Sequence, residues 1–451
     1  MNLAKELKGG KRGIAIWGVG YIGYSSMAHF ARVGIRCLGY DVNEERVKQI
    51  NENGKIKPSN LPNIDFWLGF DVAPLFLDGL IKATHNYKDL ITNEYLVHLV
   101  AVPTEKVNEL SEHKPYTGYL KDVFEKLSEY KGVKTDYPPL IIIESTLSVN
   151  VLDRIIIPTL ENHGLKVGED ILLGVAPRRD WFVEGDKTLK NLPRVVGGTN
   201  KRTNNLMAEV LGLICDKILE AEDHKHAALV KSIENAYRQM DITLANQLSA
   251  AYPDLNMKHI LELVGTKWNV GKYHPSLGIG GYCIPLAPYY VLEDAKYPEE
   301  LTLLKNSIDF DTKHTERVAK NLIKKGAKNV GILGVAYAPD LKVHVLSPAL
   351  KIVRYLKNSG VNVKVNDPYY TDEELKYITG AETFKFPDEL NQFDTILVVS
   401  GHMKYRSTNY EVIKRNLENC KLILDNTGVW KNIEFNPIEY HESGDKNWLI
   451  E

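Results

Sequence analysis

The 451-residue sequence predicts an α/β fold, two doubly wound parallel-sheet domains joined by a long central helix. Three observations carry that expectation. Short Val/Ile-rich runs alternate with amphipathic stretches through the first half, and the same alternation resumes after residue 329. Between them lies one long stretch of helical periodicity without Pro or Gly. Strands buried on both faces of a parallel sheet read as continuous apolar runs rather than alternating ones, which is the pattern seen here.

In chain order, Gly13–Trp17 (GIAIW) reads as a strand, residues 21–33 as a helix, residues 35–40 (IRCLGY) as a strand and Glu44–Asn53 as a helix. Residues 94–102 (EYLVHLVAV) and 140–144 (LIIIE) are further strands, each running into a polar turn. Residues 221–251 then repeat apolar side chains at Ala228, Leu229, Ile233, Ala236, Met240, Leu244 and Leu248, with Pro253 just beyond. A helix of that length, roughly 45 Å, can serve as a spine between domains. Residues 329–335 (NVGILGV) reopen the strand–helix alternation, followed by a helix over 347–358 and strands at 361–366, 395–399 and Leu422–Asp425. The expected domains are residues 1–205, 206–320 and 321–451.

Composition excludes several classes. Lys and Arg total 56 against 58 Asp and Glu, a net charge of -2, so no basic surplus points to nucleic acid. Cys37, Cys215, Cys283 and Cys420 lie far apart with no CxxC pair, so neither a disulfide framework nor a metal site is expected. No apolar run approaches the ~18 residues of a membrane helix. A cytoplasmic, multi-domain enzyme is the expectation.

Gly18-Val19-Gly20-Tyr21-Ile22-Gly23 is GxGxxG directly between a predicted strand and a predicted helix. The first glycine permits the tight turn, the second lets backbone approach a pyrophosphate, and the third lets helix and strand pack closely. Asp41 ends the second strand about 20 residues on, where a carboxylate can hold ribose hydroxyls. That makes the first domain Rossmann-like and favours NAD over NADP, although Arg46 could instead hold a phosphate. Val102-Pro103-Thr104 and Ser145-Thr146 follow apolar strands and point to the same crevice, since ligands in open parallel sheets sit beyond the carboxyl ends of the strands. Each also reads as an ordinary strand exit.

Gly278-Ile279-Gly280-Gly281-Tyr282-Cys283-Ile284-Pro285 is the most informative stretch outside the first fold. Three glycines in four positions free the backbone to wrap a ligand or expose the residue that follows. A cysteine at such a mouth is a nucleophile candidate, or else a small buried residue after a turn, the reading that suits the other three. Lys231 and Asn235 lie at i and i+4 on the long helix and share a face. That face is either solvated or able to stabilise an oxyanion.

Taken together, GVGYIG, AVPT, EST, PRVVGG, LVKSIENAYRQMDITLANQL, GIGGYCIP and SPALKI–VNDP occur in the order seen in the UDP-glucose/GDP-mannose dehydrogenase family, which the chain resembles over roughly residues 13 to 430. The resemblance implies an NAD-binding Rossmann domain, a central helical dimerisation domain and a C-terminal UDP-sugar-binding domain in a homodimer. It implies oxidation of a nucleotide-sugar's C6 alcohol to the uronate, as in polysaccharide biosynthesis. Cys283 then resembles the nucleophile that carries a thiohemiacetal and a thioester, with Lys231 and Asn235 stabilising the oxyanion and Thr146 helping to place a water. Lys267, Tyr273, Gly280 and Gly281 become candidate substrate contacts, with Lys231 and Asn235. Ile-Pro after the cysteine looks more like the branch acting on UDP-N-acetylhexosamines.

Several departures stand out. The family places a glutamate after the proline of its fourth block, where this chain has Ala176-Pro177-Arg178-Arg179-Asp180. With two residues inserted, Asp180 takes that place as general base and Glu184 becomes a second acidic position near the cofactor; without the insertion Arg178 takes it. The family's aspartate four residues beyond the cysteine is Ala287, and its lysine and arginine before SPAL fall on Ala338 and Val345, with Lys342 and His344 nearby. Besides the full 6-dehydrogenase, the departures leave open an oxidoreductase that acts on another nucleotide-activated substrate or stops at the aldehyde, and a non-catalytic homologue.

Overall fold

The computed structural model describes residues 3–55, 68–107, 113–180 and 188–449. The chain forms two compact units, one of Met1–Pro58, Asn63–Glu234 and Tyr289–Lys296, the other chiefly of Asn235–Pro288 and Tyr297–Glu451. The division falls inside the long helix, between Glu234 and Asn235.

The first unit is built on β1 (Gly13–Trp17), β2 (Cys37–Tyr40), β3 (Ile81–Thr84), β4 (Tyr95–Val100), a small hairpin of β5 (Glu105–Val107) and β6 (His113–Pro115), β7 (Leu140–Ile143), β8 (Leu172–Val175), β9 (Arg194–Gly198) and β10 (Ile218–Glu220). Apart from the hairpin these form one sheet in the order β3-β2-β1-β4-β7-β8-β9-β10. The order reverses at β1/β4, the switch point where open α/β sheets bind ligands. The sheet is not wholly parallel, because β8 and β9 run antiparallel. That pairing is short and uses Gly174 opposite Gly198, and a Cβ on Gly174 would stand 2.8 Å from the Gly197 carbonyl. Glycine lets the two backbones cross where side chains would hold them apart. The helices α1 (Tyr21–Arg32) and α2 (Glu44–Asn53) follow β1 and β2. β7 and β8 send Ile141, Ile143, Leu173 and Val175 into one core with Phe124, Leu127 and Leu160.

The long helix α3 runs His224–Ala251, three residues shorter at its start than the periodicity predicts. The Asp223 carboxylate accepts the amides of Lys225 (2.8 Å) and His226 (3.0 Å), capping the helix there. Then come α4 (Ala287–Glu293), α5 (Thr302–Lys324) and α6 (Pro348–Asn358).

The second unit's sheet contains β11 (Asn329–Leu333), β12 (Asn362–Asn366), β13 (Glu382–Thr383), β14 (Thr395–Val398), β15 (Leu422–Asp425) and β16 (Glu439–Glu442) in the order β13-β12-β11-β14-β15-β16. All its pairings are parallel. Val330, Ile332, Val363 and Val365 pack with Val318 and Leu322 of α5 and Ile352, Val353 and Leu356 of α6. Leu333, Ile396, Val398 and Ile423 pack on Phe393, Tyr405 and Trp430. Successive residues of β14 (TILV) and β15 (LILD) thus feed two separate cores, which is why those strands are apolar at nearly every position, whereas β12 (NVKVN) alternates. Among the described residues, no helix is long and apolar enough to cross a membrane.

Candidate active site

Gly18 adopts φ +83°, and a Cβ on it would stand 3.1 Å from the Ala101 carbonyl. A Cβ on Gly23 would stand only 2.0 Å from the Gly18 carbonyl, so α1 can lie this close to the turn only with glycine there. Gly20 differs: nothing lies within 4 Å of where its Cβ would be, and it opens α1 with no side-chain cap. Open space therefore lies beside Gly20 at the positive end of the helix, a cradle that fits a pyrophosphate.

Asp41 is buried at the exit of β2, where Oδ2 accepts the Val19 amide (2.9 Å) and Oδ1 the Asn43 amide (2.9 Å). It ties the glycine turn to the next strand. Arg46 donates to the same carboxylate at 3.1 Å, so its charge is engaged by Asp41 and not held for a 2′-phosphate. Beyond β4 and β7, Ser145 Oγ donates to the Val102 carbonyl (2.6 Å) and Thr104 Oγ1 to the Thr146 carbonyl (2.6 Å). Tyr290 Oη, which sequence reasoning did not single out, donates to the Thr104 carbonyl at 2.8 Å. The segments through Val102, Pro103 and Thr104 and through Ser145 and Thr146 form one stitched wall at the switch point.

Behind that wall lies a buried group of charges. Arg178 is fully enclosed, with all five of its N–H groups occupied. Nε donates to Asp180 Oδ1 (2.6 Å), Nη2 to Asp180 Oδ2 (2.5 Å) and Ser25 Oγ (3.0 Å), and Nη1 to Ser26 Oγ (2.7 Å) and the Ile22 carbonyl (3.1 Å). Ser26 donates on to Glu144 (2.6 Å), which also pairs with Arg194 (2.5 Å). Burial raises the Asp180 carboxyl, but the Arg178 charge and hydrogen bonds outweigh it and hold the group down at about 2. A carboxylate so engaged is a poor proton acceptor at neutral pH. Asp180 is thus the counter-ion of Arg178 in this structure, an engagement that tells against the expected role of general base. Glu184, the second acidic position, lies outside the described residues.

In the second unit, Cys283 is exposed whereas Cys37, Cys215 and Cys420 are buried. Burial drives the Cys37 and Cys215 thiols up and that of Cys420 to about 12. Four acceptors hold amides of the loop before Cys283, and His314 Nε2 lies 2.7 Å from its Ser276 carbonyl. The Ser276 amide donates to Asn246 of α3 (2.7 Å) and the Leu277 amide to Asn426 (3.1 Å). The Ile279 amide donates to Asp311 of α5 (3.0 Å) and the Gly281 amide to the Val345 carbonyl (2.8 Å). Gly278 and Gly281 take φ +137° and +90°, and a Cβ on Gly281 would lie 3.0 Å from the Tyr337 ring. Gly280 packs on the same tyrosine. Neither Tyr337 nor the three side-chain acceptors figured in the sequence expectations; they are ordinary residues whose roles depend on distant neighbours.

Lys231 and Asn235 stand one turn apart on α3, both half-buried. Lys267 is exposed, and Tyr273 is half-buried with its hydroxyl pushed up by burial and then by Asp241. Ala287 is buried, its amide closing the first turn of α4 on the Cys283 carbonyl (3.1 Å). Near Ala338 and Val345, Lys342 pairs with Glu374 at 2.7 Å and His344 Nδ1 lies 3.3 Å from the Tyr370 hydroxyl. Among the described residues, no group of three or more His, Cys, Asp or Glu could hold a metal ion.

The first unit thus has the build of a dinucleotide-dependent dehydrogenase. Models of the UDP-glucose/GDP-mannose dehydrogenase family match residues 12–213 as its NAD binding domain, 225–312 as its central domain and 331–432 as its UDP binding domain, and the chain belongs to that family. It is an NAD-dependent dehydrogenase acting on a CH–OH group. Its relatives include the UDP-N-acetyl-D-mannosamine dehydrogenase of Pyrococcus horikoshii, 29% identical over 93% of this chain and 96% of that one. A UDP-N-acetyl-D-glucosamine 6-dehydrogenase of Pseudomonas aeruginosa is 26% identical, over 91% and 94%. The solved structure of the Pyrococcus horikoshii UDP-D-ManNAc dehydrogenase superposes with a TM-score of 0.82 at 26% identity, covering 96% of this chain and 99% of that one.

Proposed function

We propose that this chain oxidises the C6 alcohol of a UDP-N-acetylhexosamine to the uronate, as a cytoplasmic homodimer in polysaccharide biosynthesis. The observation that carries the reading is Cys283, the exposed cysteine, presented by a loop that four separate residues hold in place. The kinship with UDP-N-acetylhexosamine dehydrogenases supports the substrate class. NAD, which fits the cradle at Gly18–Gly23, accepts the hydrides.

The protein's residues do the rest. The amides at the start of α1 bind the cofactor's phosphates, and Asp41 fixes the turn and meets the ribose. Once the alcohol has become an aldehyde, the Cys283 sulfur attacks C6 and its S–C bond makes a thiohemiacetal. Lys231 and Asn235 balance the charge on the oxygen. Loss of the second hydride gives a thioester; a water, placed with the help of Thr146, cleaves it and returns the thiol. In total, two hydrides leave the sugar, one water enters and three protons are released. Lys267, Tyr273 and the backbone of Gly280 and Gly281 contact the substrate. The dimer forms through the apolar stripe of Ile233, Tyr237 and Leu244, all exposed on one face of α3.

A second reading, release of the aldehyde after a single oxidation, is favoured by Ala287 and by the engagement of Asp180 with Arg178. NADH counted per sugar consumed separates the two, across UDP-glucose, UDP-N-acetylglucosamine, UDP-N-acetylmannosamine, UDP-N-acetylgalactosamine and GDP-mannose. Two NADH on a UDP-N-acetylhexosamine is the expected result. One NADH gives the aldehyde reading, and turnover of UDP-glucose or GDP-mannose alone overturns the substrate class.

A further inference from the structure

Of the four acceptors that hold amides of the Cys283 loop, three cannot titrate in the working range: the Asn246 and Asn426 amides and the Val345 carbonyl. The fourth, Asp311, is a carboxyl, and it holds the central amide of the loop, Ile279, at 3.0 Å. We propose that Asp311 is a positioning residue for the Cys283 loop, gripping it as a carboxylate and releasing it on protonation; this rests on the assignment of Cys283 as nucleophile.

The surroundings make this grip specific. Asp311 is 6% exposed on α5, one turn from Thr315, whose hydroxyl would stand 2.5 Å from a Cβ on Gly278. The loop thus lies close against α5 at Gly278. Among the groups that face Asp311, burial dominates and raises its carboxyl to about 6; Lys351 of α6 and the Ile279 amide draw it down without cancelling that effect. His314, one turn away on α5 with Nε2 2.7 Å from the loop's Ser276 carbonyl, is held by burial at about 4 and stays neutral through this range. Tyr337, packed against the loop's glycines, is pushed up by burial to about 12 and stays neutral too. Asp311 is therefore the group that changes charge between pH 5 and 7. A charged acceptor makes the stronger hydrogen bond, so the loop is held best above pH 6 and slackens below it.

The test uses the full-length protein with Asp311→Asn and Asp311→Leu. The wild type is expected to lose kcat on acidification with a midpoint near 6, with KM for NAD unchanged. Asp311→Asn offers a neutral acceptor at every pH, as the protonated acid does, so the acidic limb disappears and kcat near pH 7.5 falls toward the wild type's acidic level. Asp311→Leu lowers kcat by about tenfold or more at every pH, because a loose loop no longer presents the sulfur in line. Hydrogen exchange of the peptide 276–283 reads the loop directly, and Asp311→Leu raises its uptake. An acidic limb that persists in Asp311→Asn, or unchanged exchange in Asp311→Leu, overturns the proposal. Should Cys283→Ser still form acid while exchange responds to Asp311, the nucleophile assignment fails and the grip on the loop stands.

Discussion

Replacing Asp180 with Asn leaves the shape of the buried group intact and removes one charge. Arg178 then keeps only neutral ligands, the Ile22 carbonyl and the Ser25 and Ser26 hydroxyls, in an enclosed site. Breaking a buried pair in this way costs about 3–5 kcal/mol. The carboxyl itself gives an independent scale: its descent from 3.8 to about 2 corresponds to about 2–3 kcal/mol at 1.36 kcal/mol per pH unit. The sign follows from the depressed folded value. The stabilisation is fully present above pH 3.8 and is lost as pH falls through about 2. Urea unfolding at pH 7, followed by tryptophan fluorescence, should therefore show Asp180→Asn less stable by about 2–5 kcal/mol. A double variant, Arg178→Met with Asp180→Leu, should recover much of the loss, since it leaves neither charge unpaired. Unchanged stability in Asp180→Asn, together with a fall in kcat of about a hundredfold or more, would refute the counter-ion assignment and restore the carboxylate as a base.

Two further outcomes are expected. Cys283→Ser should abolish acid formation while NAD binding, measured by quenching of protein fluorescence, persists; undiminished acid release would remove the thiol from the reaction. Gly23→Ala places a methyl 2.0 Å from the Gly18 carbonyl, so the turn must open. NAD affinity should drop about tenfold or more, as amides aimed at the phosphates lose their alignment, and calorimetric titration giving wild-type affinity would dismiss the cradle at Gly18–Gly23.

The strands Gly13–Trp17 and Leu422–Asp425 were legible to the residue, because strands buried on both faces are apolar without interruption and end where a turn residue begins. Ile81–Thr84 was not, since its exposed Lys82 makes it read as an edge with no signal of its own. The reversal between β8 and β9 was hidden as well, because direction within a sheet depends on where the intervening chain goes and not on the composition of either strand. At the site, the glycine turn and Cys283 could be found locally. The grip on the cysteine loop could not: Asn246, Asp311, Asn426 and Val345 are scattered over 181 positions, and polar residues on a helix read as solvated. Arg178 and Asp180 were visible as neighbours in sequence, but only burial reveals that each satisfies the other.

The two sheets repeat one plan, with the same strand order about β1 and about β11 and an aspartate after the second strand that binds the first turn. Asp41 takes the Val19 amide at 2.9 Å, and Asp367 takes the Val335 and Ala336 amides at 2.8 and 3.1 Å. In the first copy the helix begins at Tyr21, three residues after Gly18; in the second it waits until Pro348, fourteen residues after Gly334. Those extra residues carry Tyr337 and the Val345 carbonyl, the groups that pack on and hold the cysteine loop. The same turn is thus short beside the glycine cradle in one sheet and long enough in the other to reach and hold the cysteine loop. Redesign of specificity in this chain can therefore treat the two turns as separately adjustable parts, despite their common plan.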